Sequence, residues 1–113
     1  MATVNKEIVV LQNYLKQLAK FPLKNFNSQK FGEIVDTLGS ANFRADAQLV
    51  AAKDPAELER IASGFVAEKL GVMDMKEAQK LIKKVVVKMD KEKKKFRAVF
   101  YYMLWDAQRA AKK

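Results

Sequence analysis

Cysteine and histidine are both absent from the 113-residue chain. Without cysteine there are no disulfides, thiol nucleophiles or thiolate metal sites, and without histidine there is no imidazole base, no Ser-His-Asp triad and no common zinc ligand. Glycine-rich phosphate loops are missing too, because the four glycines, at 32, 39, 64 and 71, stand at least seven residues apart. The three serines, Ser28, Ser40 and Ser63, lie outside any nucleophile-elbow pattern. No catalytic, cofactor-binding or metal-ligating residue is therefore assigned, and an enzyme, limited to carboxylates, hydroxyls and lysines, is the least favoured class. Long hydrophobic runs are also lacking. The stretch Ile8–Leu11 is four residues, against the roughly 18 that a membrane span needs, and it is too short for a signal-peptide core. A cytoplasmic location is the expectation.

What the chain does have is apolar content and unevenly placed charge. Half of its residues are hydrophobic, and a single domain of this length buries roughly 65% of the unfolded surface, enough for one core without covalent staples. The formal charge of +9 belongs to the last third: residues 1–75 carry nine basic and nine acidic side chains, whereas 76–113 carry thirteen and four. Such asymmetry points to a polyanionic partner, although a solvated, solubilising face has the same appearance.

The apolar spacing predicts an all-α bundle of five or six short helices in one domain. Val4, Ile8, Leu11, Leu15 and Leu18 form the stripe of a first helix, capped by Thr3 and ended by Pro22. Asn27 or Ser28 caps a second, with Phe31, Ile34, Val35 and Leu38 inward and Gly39 as its stop. Residues 43–52 have the spacing of a short helix bearing Phe43, Leu49 and Val50. Asp54, Pro55 and Glu57 read as cap, first helical position and capping-box partner of a helix that runs to about Leu70, with Leu58, Ile61, Ala62 and Phe65 inward and Gly71 as the stop. Within it, Ser63-Gly64 implies either a neighbouring helix in close approach or a small ligand groove.

A fifth helix is predicted from Asp74, with Ala78, Leu81, Ile82, Val85, Val86 and Met89 inward; the β-branched Val85-Val86-Val87 leaves a strand as the alternative there. Asp90 then either caps a sixth helix that runs to about Ala111 or lies inside one long helix. The break is preferred, because an unbroken helix of some 36 residues would extend about 54 Å. On the sixth helix Phe96, Val99, Phe100, Met103, Leu104 and Ala107 share a face.

Asp54-Pro55-Ala56-Glu57-Leu58-Glu59-Arg60, then Phe65, Lys69-Leu70-Gly71 and Phe96-Arg97-Ala98-Val99-Phe100-Tyr101-Tyr102-Met103-Leu104, resemble the pattern of a small bacterial family catalogued as domain of unknown function 2853. The resemblance covers roughly the second half of the chain and, more weakly, the helix from Ser28 to Gly39. It implies a small helical domain with no assigned activity, and it supplies no catalytic residue.

Function then rests on the cationic third. Lys76, Lys80 and Lys83 fall on a narrow arc of the fifth helix, widened by Lys84 and Lys88. On the sixth, Lys94, Lys95 and Arg109 share an arc with Tyr102 and Trp105, a combination suited to phosphate contact plus base stacking. The alternative is that Tyr102 and Trp105 pack under the first helix. The favoured function is a non-catalytic interaction or structural module, self-association included. The alternative is a non-specific nucleic-acid binder using Lys80, Lys83, Lys84, Lys94, Lys95 and Arg109 with Tyr102 or Trp105 stacking. Lysine far outnumbers arginine, which argues against base-specific readout. Attachment to an anionic membrane ranks below both, since the fifth helix's apolar face has the size a core needs and no lipidation signal is present.

Overall fold

A computed structural model describes residues 6–21 and 26–111, with the side chains of 6–9, 45, 46, 110 and 111 excepted. The proposed Thr3 cap, Val4, the Ile8 side chain and the Pro22 stop lie outside that description. The chain forms α1 (Lys6–Leu18), α2 (Ser28–Leu38), a 3-10 turn (Gly39–Phe43), α3 (Ala45–Gln48), α4 (Pro55–Ile61), a π-helical continuation (Ala62–Lys69), α5 (Met75–Lys88) and α6 (Arg97–Ala111). No strand forms among the described residues; one isolated antiparallel bridge joins Leu49 to Phe96. The class is all-α, as the periodicity predicts.

Helix α6 is the centre around which the others pack. Ala98, Val99, Phe100, Tyr102, Met103 and Leu104 are all buried, so its apolar surface extends well beyond the single predicted face. A helix apolar on most sides is one with neighbours on most sides, and α1, α2, α3 and α5 all contact it. From α5 come Ala78, Leu81, Ile82, Val85 and Met89, as the spacing requires, and the triple valine stays helical because Val85 is buried in the core. From α2 come Phe31 and Ile34.

The chain's punctuation explains most boundaries. Asn27 accepts the Lys30 N–H at 2.8 Å and so caps α2, and Asp54 and Asp74 do the same for α4 and α5. Gly39, at φ 52°, and Gly71, at φ 73°, take the left-handed conformation that ends their helices.

Five expectations need correction. Glu57 closes no capping box: the Asp54 N–H donates to the Ala51 carbonyl, and the Glu57 carboxylate is drawn into the interior by Arg97. In α1, Leu18 is buried as predicted but Leu15 is exposed, and Tyr14 and Gln17 turn inward in its place; Phe43 is likewise exposed. The break after α5 is present, but α6 begins at Arg97 and not at Asp90, whose N–H donates to Val87 inside a turn. Finally, Gly64 has no atom within 4 Å of where a β-carbon would stand, so no neighbouring helix explains it. It lies in the π segment, where the Leu70 N–H reaches back five residues to Phe65 and Val66 becomes buried.

Candidate functional site

Helix α5 presents its lysines because its apolar residues are committed to α6 and the π segment. Lys80, Lys83, Lys84 and Lys88 are exposed, and with Val87 and Ala107 they line an open groove of about 670 Å³ between α5 and α6. Among the described residues, no carboxylate lines it. Glu77 meets Lys80 at 3.6 Å, but both side chains are more than half exposed, so this pair leaves the local potential positive. Val87 is 65% exposed in the middle of the lysines. On the other flank of α5, Pro55, Leu58, Glu59, Gln79, Ile82, Lys83 and Val86 line a second recess of about 390 Å³. Lys83 borders both.

The other predicted site residues do not join this face. Lys94 is exposed on the α5–α6 connection, where its carbonyl accepts from Gln17 Nε2 at 2.6 Å. Lys95 Nζ donates to the Glu92 carbonyl at 2.8 Å, which ties the ammonium to its own loop. Tyr102 has no exposed surface. Its hydroxyl accepts the Asn27 N–H at 2.9 Å, and its ring packs 5.2 Å from Phe26 and 5.8 Å from Phe31. Tyr102 is therefore a core residue against α2, not a stacking platform, and α2 is its cover instead of the predicted α1.

Trp105, half-buried, packs beside Tyr102 at 5.4 Å, with the Arg109 guanidinium 4.4 Å and the Lys30 ammonium 5.8 Å from its ring. Arg109 also bonds Asp106 at 2.6 Å. Residues two positions apart on a helix differ in direction by about 200°. With Ala107 lining the lysine groove, Trp105 and Arg109 point away from it.

The polar interior was largely invisible in the sequence. Arg97 donates to the carbonyls of Ala47 and Leu49, to the Tyr101 hydroxyl and to the Glu57 carboxylate, which also accepts from Arg60. Burial works to lower the Arg97 pKa, but the hydrogen bonds and charges of Tyr101 and Glu57 outweigh it, and the net shift is upward. The one available signal was an arginine closing a lysine run, since a guanidinium's fork of donors serves several fixed acceptors as an ammonium cannot. Gln17 spans α1 and the α5–α6 connection, donating to Glu92 and the Lys94 carbonyl and accepting the Phe96 N–H. Tyr14 donates to Asn42 at 2.9 Å, and burial, partly opposed by a hydrogen bond with Gln48, raises its phenol pKa.

Every buried side-chain polar atom among the described residues has a partner. Among those residues, too, no group of three or more metal-ligating side chains gathers, and no helix is long and apolar enough to cross a membrane.

A family model, described as "Protein of unknown function (DUF2853)", matches residues 13–112. The match takes in the C-terminal six residues of α1, all of α2 and the connections, beyond the second half of the chain that carried most of the resemblance. No curated protein matches the chain.

Proposed function

The chain belongs to the DUF2853 family, whose description names no activity, and from that premise we propose that it is a non-catalytic interaction module that binds an anionic partner along the lysine face of α5. One observation carries this reading: four exposed lysines converge on one open groove that has no carboxylate among its described lining residues. Charge of one sign around a concave surface focuses the field on whatever enters it. The interior offers little for chemistry, since Glu57, the buried carboxylate among the described residues, is held by two guanidiniums. Self-association by a symmetric contact of this face sets lysine against lysine, so the partner is a different molecule.

Non-specific nucleic-acid binding is the second reading. The same ammonium groups supply phosphate contacts, with Lys94 adding to them from the connection, and no base readout is required. This reading proceeds without Tyr102, which is buried, and without Trp105 and Arg109, which point away from the lysine groove.

The test is binding to polyglutamate and to a DNA duplex between about 50 and about 200 mM salt, for the protein and for the Lys83→Glu/Lys84→Glu variant. Affinity that falls steeply with salt, and falls about tenfold further in the variant, is expected. Absence of binding to both probes, or a variant that binds as well as the parent, refutes the reading.

A further inference from the structure

The lysine face of α5 is more than a charged surface. In its middle, Val87 holds an exposed apolar side chain among Lys80, Lys83, Lys84 and Lys88. On each side of this ridge lies a recess, one floored by Val87 and Ala107, the other by Pro55, Leu58, Ile82 and Val86. Lys83 stands at the rim of both. An occupant that fills the α5–α6 recess must bring apolar groups to the floor and negative charge to the rim, within a span from Lys80 to Lys88 of about 12 Å, or two helical turns, while the other recess, whose rim holds Glu59 beside Lys83, takes apolar groups.

From this we infer that the occupant is an acidic amphipathic helix of a partner protein, with large apolar side chains in the recesses and carboxylates against the lysines. This inference rests on the anionic-partner reading above and names the partner's chemistry. A helix laid in a groove presents anchors three and four residues apart, flanked by polar positions, which is the alternation of apolar floor and cationic rim found here. A nucleic-acid backbone matches the rim but has nothing apolar for the floor, and the aromatic rings that would stack its bases are buried or turned toward α2. A bilayer surface is matched by protruding apolar groups better than by concave recesses.

The experiment is selection of a displayed library of helix-favouring 16-residue peptides on the full-length protein, followed by titration of one synthetic winner. The inference expects enriched peptides with Asp or Glu placed three or four residues from Leu, Phe or Met. It also expects the winner to gain helicity on binding. Lys83→Glu and Val87→Asp, both at exposed positions and verified by circular dichroism, should each weaken it about tenfold. No enrichment, enrichment of peptides without acidic residues, or indifference to Val87→Asp overturns the inference. So does Val87-dependent binding of phosphatidylglycerol vesicles in preference to the peptide. If polyglutamate still binds, only the amphipathic occupant is lost; if polyglutamate also fails, the anionic-partner surface itself is refuted.

Discussion

The guanidinium of Arg97 and the carboxylate of Glu57, 40 residues apart in sequence, form the ion pair that fixes the start of α6 against α4. Their side chains are only 16% and 10% exposed, so the pair is shielded from solvent and its loss leaves a buried charge uncompensated. Arg97→Met also strips the donors from the Ala47 and Leu49 carbonyls and should cost about 3–5 kcal/mol. Glu57→Leu leaves Arg97 three other acceptors and should cost about 2 kcal/mol. Urea unfolding of both variants checks the order; equal or negligible losses would show that the pair is not what positions α6.

Tyr14 makes stability pH-dependent in the alkaline range. Its folded pKa lies above the ordinary 10.0, so the unfolded chain releases the proton first. The stability contributed by the neutral phenol is complete below pH 10.0 and is lost as pH rises from there through the folded value. Tyr14→Phe should remove this step from the pH profile. It should also cost about 1–2 kcal/mol at neutral pH, because the phenol no longer donates to the buried Asn42 oxygen.

Two glycines should respond in opposite directions. Gly39, at φ 52° and ψ −124°, stands in a conformation that side chains resist, and Gly39→Ala should destabilise by about 1–2 kcal/mol. Gly64 is helical, with nothing within 4 Å of a new β-carbon, so Gly64→Ala should stabilise by up to about 1 kcal/mol. Thermal melts of the two variants separate these outcomes. A destabilised Gly64→Ala protein would mean that the π segment itself requires glycine.

Gln17 links α1 to the α5–α6 connection through three hydrogen bonds, and Gln17→Leu should unlatch that connection. A loss of about 2 kcal/mol is expected, together with faster amide exchange at Phe96, whose N–H Gln17 accepts. Unchanged exchange at Phe96 would contradict this role.

Much of the fold was legible because helices announce themselves locally. Apolar spacing and the Asn27, Asp54 and Asp74 caps placed α2, α4 and α5, and the inward face of α5 followed from periodicity alone. What escaped was decided by distant partners. Glu57 satisfies a local capping pattern, yet its carboxylate goes to an arginine 40 residues away. Tyr102 lies among cations on a helical projection, but a projection does not show that α2 covers that side of α6. Of the candidate site, the lysine arc of α5 could be read directly, since a face opposite a committed core face is exposed. The two recesses beside it could not, because they depend on how α4 and α6 pack against α5.

The most direct measurement of the central claim is amide chemical-shift mapping of the protein during titration with polyglutamate. The account predicts perturbations along α5 from Lys80 to Lys88 and at Ala107, with the Trp105 indole unmoved because it faces α2. Shifts centred on Trp105, Arg109 and Lys30, with α5 silent, would contradict it.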